Sequence, residues 1–132
     1  MKNWSVLVAV VILFCAVSPS QSCEVEGRWT ARQRSLFYNL DLTMSLHPNS
    51  SYTAEATIGY TMGSCKCQVR EEGAFEVDEL PSSILFNTQF CQASSCCHCT
   101  AHTKPYPLTF INTCDTIHVD IGFGVVELHR LQ

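Results

Sequence analysis

The densest run of reactive side chains is Cys96-Cys97-His98-Cys99-Thr100-Ala101-His102. Thiolates and imidazoles this close together suit Zn²⁺ or Cu⁺. No uninterrupted C-x-x-C pair occurs, however, and adjacent cysteines rarely ligate one ion. A nucleophile elbow (G-x-S-x-G), an H-E-x-x-H zinc helix and a glycine-rich phosphate loop are all missing from the sequence. The carboxylates Glu71-Glu72, Glu76 and Asp78-Glu79 read as solvated charges on turns, and their spacing matches no Ca²⁺ loop. His118 falls on the polar phase of an alternating run and His129 stands beside Arg130, which are positions for surface or cross-strand residues. No catalytic constellation emerges, so an enzyme is not expected, and neither is a cofactor.

The cysteines belong to a chain that reads as exported. Lys2 begins a short positive region, Val6 to Val17 is an apolar run of twelve residues, and Ser18-Pro19-Ser20-Gln21-Ser22 ends it with small residues before Cys23. That is the pattern of a secretory signal peptide over residues 1–22. The run is too short for a bilayer span, which takes about 20 apolar residues. No other run approaches that length, so no membrane span is expected in the mature chain. Of the 132 residues, 110 then remain as a single domain over 23–132, without Lys2 and Cys15. Seven basic and twelve acidic side chains give this portion a net charge of −5. The absence of any basic run argues against nucleic acid.

Eight cysteines are left: Cys23, Cys65, Cys67, Cys91, Cys96, Cys97, Cys99 and Cys114. An even number in a short exported chain reads as four disulfides, and secretion to the extracellular space is the matching location. Eight cysteines allow 105 connectivities, so the pairing stays open. Cys65 and Cys67 would face the same side of a strand and are not expected to bond each other. They could reach two members of the Cys91–Cys99 cluster, and a Cys23–Cys114 bridge would tie the start of the mature chain to a late strand.

What positions these residues is a set of strands. From Tyr38 to Leu46 every second residue is apolar, His47-Pro48-Asn49-Ser50 supplies a turn, and the alternation resumes from Tyr52 to Met62. Two such runs around a turn predict an antiparallel hairpin. Shorter strands are expected at 65–70, 74–77, 84–86, 107–111, 116–121 and 125–130, with Glu71-Glu72-Gly73 as a turn. Thr30 to Phe37 could form one helical turn. Residues 89–106 lack periodicity, hold four cysteines and read as a stapled loop. About eight short strands with turn signals between them predict an all-β fold, a small antiparallel up-and-down barrel or a sandwich. Asn49-Ser50-Ser51 is an N-x-S sequon at the hairpin tip, which makes Asn49 a candidate glycosylation site.

Gly27-Arg28-Trp29 precedes the first strand and Arg130 ends the last. This resembles the lipocalin-like (calycin) pattern of a G-x-W motif near the start and an arginine in the closing strand. The resemblance implies structural roles for Gly27, Trp29 and Arg130, with the arginine packed across the tryptophan. It also implies a barrel whose interior is a cup for an apolar ligand. The chain is shorter than a full lipocalin and carries neither a T-D-Y-like motif nor a helix after the barrel.

In such a barrel Leu40, Leu42, Met44, Tyr52, Ala54 and Ile58 share one face and are the candidate ligand-binding residues. Eight strands enclose only enough space for side chains or one small ligand, and for 110 residues a filled or nearly filled interior is expected. The leading expectation is a secreted binding protein carrying or sequestering a small apolar ligand. The alternative is an extracellular protein-interaction factor acting through loop 89–106, whose cross-links meet the ordering cost before a partner arrives. A thiol/His metal binder centred on Cys96, Cys97, His98, Cys99 and His102 is the third reading, although disulfides are the expected fate of these cysteines.

Overall fold

The alternation that runs through the sequence becomes strands with one face turned to a core. The computed structural model describes residues 23–131 apart from 64, 79–80 and 123, so the expected signal peptide lies outside the described residues. Eight strands follow in order: β1 (Gly27–Arg34), β2 (Tyr38–Leu46), β3 (Ser51–Tyr60), β4 (Lys66–Val77), β5 (Ser83–Ala93), β6 (His102–Phe110), β7 (Thr116–Asp120) and β8 (Val125–Leu131). Each pairs antiparallel with the next, and β8 returns to β1 through Trp29 opposite Arg130. The result is a closed, all-β, up-and-down barrel. Closure leaves the sheet without a free edge, which a two-sheet sandwich would expose. Because the strands alternate direction, the β1–β2, β3–β4, β5–β6 and β7–β8 connections share one end. The segment before β1 and the other connections share the opposite end, here called the base.

The predicted hairpin is β2–β3, paired from Tyr38 opposite Tyr60 to Leu46 opposite Tyr52. Ser50 takes a positive φ of 66° in its turn, and Asn49 Oδ1 accepts bonds from the Ser51 amide and hydroxyl at 3.1 and 2.6 Å. Phase then carries the apolar residues inward. Trp29, Met44, Leu46, Tyr52, Phe75, Ile84, Leu108, Ile117, Val126 and Leu128 form the buried core with Val25 and Ala31. Each fully buried large apolar side chain contributes on the order of 1.5–3 kcal/mol.

Three local expectations are corrected. Residues 30–34 belong to β1 rather than to a helical turn, because Trp29 and Ala31 alternate inward opposite Met44 and Leu42. Glu71-Glu72-Gly73 is not a turn; it lies inside the twelve-residue β4. There the β4–β5 register shifts between Glu72 and Gly73, so that Glu72 faces Phe90 and Gly73 faces Thr88, with Gln89 extra on β5. A Cβ on Gly73 would run into the Asn87 carbonyl, so glycine is what lets the two backbones approach at this bulge.

The third correction concerns loop 89–106. Gln89–Ala93 continues β5 and His102–Tyr106 belongs to β6, leaving residues 94–101 as the connection. The bulge hides the first half because it reverses the inward phase, placing Thr88 and Cys91 inward and Phe90 outward. Prolines hide the second half. Leu108 donates its amide toward β5, to Ser82 O, so the nitrogens of Pro105 and Pro107 face the other way. On that side β6 meets β7 only from Leu108 to Phe110, so the missing N–H groups cost no ladder bond.

Candidate functional site

The base of the barrel is built around Arg130. Its guanidinium lies over the Trp29 ring, 4.3 Å from the centroid. It donates to Glu26 O and Glu24 O at 2.6 Å each and to Cys114 O at 3.1 Å, and its Nε meets Asp115 Oδ1 at 3.1 Å. The Trp29 indole N–H donates to Val25 O at 2.7 Å. These bonds hold the segment before β1 across the base, and the Cys23–Cys114 disulfide fastens the same segment to the β6–β7 connection with Cα atoms 5.1 Å apart. Gly27 sits at φ +132° and a Cβ there would come within 2.7 Å of Arg130 Nη1, so both backbone and space demand glycine.

Above this floor the barrel is not filled, which corrects the expectation of a filled interior: small Ala54 stands on the wall between Met44 and Glu71. A cavity of about 160 Å³ is lined by Val25, Leu42, Met44, Leu46, Tyr52, Ala54, Ile84, Phe86, Tyr106, Leu108, Ile117, Val119, Ile121, Val126 and Leu128, together with one carboxylate, Glu71. Of the six candidate ligand residues, Leu42, Met44, Tyr52 and Ala54 border it. Leu40 and Ile58 face inward on the same phase but pair with each other in a register row that continues to Gln33 and Cys67, beyond the cavity. Small Ala54, opposite Met44 and Glu71, helps leave the space open.

Glu71 is the candidate site residue that the sequence pattern places on a turn and that the structure places in the barrel. It stands on β4 opposite Ala54 and Cys91, on the inward phase shared by Cys67 and Val69. The Thr88 hydroxyl donates to Tyr52 at 2.5 Å, and the Tyr52 O–H donates on to Glu71 Oε2 at 3.3 Å. Burial pushes the Tyr52 phenol up to about 12; the Thr88 hydrogen bond opposes this and the Glu71 charge adds to it. Burial, then the charge on Glu71, also raises Tyr106. Both phenols therefore stay neutral around neutral pH. Tyr52 packs edge-on to Phe86 with centroids 4.7 Å apart, and Phe86 meets Tyr106 at 6.0 Å. Continuing the alternation Cys65-Cys67-Val69 by one step reaches Glu71, which is the signal that would have found it. Continuing Ile84-Phe86 by one step likewise reaches Thr88, whereas Tyr106 had no such signal because Pro105 and Pro107 flank it.

The remaining cysteines gather at the other end. Cys65 bonds Cys96, Cys67 bonds Cys97 and Cys91 bonds Cys99, with Cα separations of 6.2, 5.7 and 5.9 Å. All are ordinary for disulfides. They strap residues 94–101 to the ends of β4 and β5. The sulfurs required by a thiolate metal centre are thereby used, and among the described residues no group of three or more His, Cys, Asp or Glu is placed to hold an ion. His102 Nδ1 lies 2.7 Å from Thr100 O, and His98 is exposed. Glu72 pairs with Arg70 at 3.2 Å, and Glu76 and Asp78 are exposed. Asn49 is exposed on its turn.

A broader polar concavity of about 700 Å³ crosses the outer faces of β1 to β5. Arg32 and Arg34 both lie 3.2 Å from Asp41, and Glu55 on the same face is exposed to solvent. Burial would raise Asp41, but the hydrogen bonds and charges of Arg34 and then Arg32 prevail and hold its carboxyl below the usual range. Unlike Glu71, which is half-buried beside an apolar cavity, the carboxylate of Glu55 on this face stands in solvent. Among the described residues no helix is long and apolar enough to cross a membrane. No protein-family model matches the chain, and no curated protein is significantly similar to it.

Proposed function

We propose that this chain is a secreted, non-enzymatic, lipocalin-like binding protein that holds one small apolar ligand inside its barrel. The observation that carries the reading is the apolar cavity of about 160 Å³ closed beneath by Val25. Dry apolar cavities of about 150 Å³ take up benzene, so the space suits a ligand of roughly that size and not a long-chain lipid. The packing of Arg130 on Trp29 beside the crowded Gly27 supports the calycin resemblance. Four disulfides support export, since such bonds persist in oxidising compartments.

The test is titration of the folded protein with toluene or benzene, followed by Trp29 fluorescence and by the methyl NMR signals of cavity residues. Saturable binding is expected, and Ala54→Leu, which fills the space, should abolish it while preserving the melting transition. Binding that Ala54→Leu leaves untouched would refute the cavity as the site. A second reading, a protein-interaction factor, is favoured by the strapped end of the barrel. There the β1–β2 connection exposes Leu36 and Phe37 and the β3–β4 connection exposes Met62, the two joined by a Thr61 amide bond to Phe37 O at 3.1 Å. Failure of every apolar probe to bind would move the function to that end.

A further inference from the structure

The cavity offers a ligand one charged group, and that group is under-used. A carboxylate can accept about four hydrogen bonds. Among the described residues Glu71 receives one, at Oε2 from Tyr52. The atom beside Oε1 is Cys91 Sγ at 3.8 Å, which is in a disulfide and has no hydrogen to give. Among the described residues no lysine, arginine or histidine forms an ion pair with Glu71. Lys104 holds its ammonium over the Tyr106 ring, 5.4 Å from the centroid.

A half-buried carboxylate facing an apolar cavity gains most from a donor that is itself charged, because charge-assisted hydrogen bonds are the strong ones. The rings of Tyr52, Phe86 and Tyr106 line the same cavity, and aromatic faces attract cations. An anionic ligand would be repelled by Glu71, and a neutral alcohol would gain only an ordinary hydrogen bond. We propose that the cavity selects a small protonated amine, its apolar body enclosed by the barrel and its ammonium on Glu71. This rests on the ligand-binding reading above and names the ligand class.

The experiment compares benzylamine, benzyl alcohol and toluene by calorimetry on the disulfide-intact protein at neutral pH, where the amine is protonated. Benzylamine should bind about tenfold or more tighter than either neutral probe, the scale of one charge-assisted hydrogen bond. Glu71→Gln should remove that advantage, and a retained cooperative melting transition shows that the variant is folded. Equal binding of the three probes by the wild-type protein would overturn the amine proposal and leave the cavity reading standing. Benzylamine binding that survives Glu71→Gln would overturn it as well. If no probe binds, the proposal and the ligand-binding reading fall together.

Discussion

Arg130→Ala should be the most damaging single change outside the apolar core and the disulfides, and the structure sets its size. The guanidinium gives two short bonds, to Glu24 O and Glu26 O, and a longer one to Cys114 O. Bonds to charged groups contribute about 1.5 kcal/mol or more each, although water replaces part of this at partly exposed carbonyls. Its stacking on Trp29 adds about 0.5–1 kcal/mol. The Asp115 pair adds little, because that carboxylate is 56 % exposed. The loss should total about 3 kcal/mol, or about 12 °C in melting temperature for a domain of this size. Urea unfolding with disulfides intact, followed by Trp29 fluorescence, measures it. Arg130→Lys should recover less than half, since an ammonium lacks the fork that reaches separate carbonyls. Gly27→Ala should destabilise the wild type more than it does the Arg130→Ala variant, because part of its cost is the clash with Nη1. A loss below about 1 kcal/mol on Arg130→Ala, or full recovery by lysine, would refute the assignment of the base to this fork.

Replacing both Cys23 and Cys114 by serine releases a loop with sequence separation 91 and should cost about 4.6 kcal/mol. The Cys91/Cys99 pair, with separation 8, should cost about 2.5 kcal/mol, and comparison of the two unfolding curves checks the order. Tyr52 is raised in the folded state to about 12 from 10, so the stability it contributes is present below pH 10 and lost as pH climbs toward 12. Tyrosine absorbance should show late ionisation together with alkaline unfolding, and Tyr52→Phe should shift that unfolding upward in pH. Expressed in a eukaryotic secretory host, the protein should carry glycan on the exposed Asn49, seen as a mass loss on enzymatic deglycosylation that Ser51→Ala abolishes.

Period-two alternation is a local property, so the β2–β3 hairpin and the all-β class follow from spacing alone: one phase of Tyr38–Leu46 is apolar, the other polar. The same holds for an even set of cysteines behind a leader-like segment, whose oxidation depends on compartment rather than on contacts. Gly27, Trp29 and Arg130 were legible as a group because their residue types are specialised. What needed the tertiary structure is whatever depends on strands far apart in the chain. Closure of β1 on β8, the partners of Cys65 and Cys67, and the volume left between Ala54 and the opposite wall all arise from how distant side chains fill a common space. The bulge at Gly73 illustrates the limit most sharply. One extra residue on β5 reverses which side chains face inward, and a turn-like Glu-Glu-Gly continues as strand, placing Glu71 in the barrel and Glu72 on its surface. Alternation assigns phase only while the register holds, and register is decided by the partner strand.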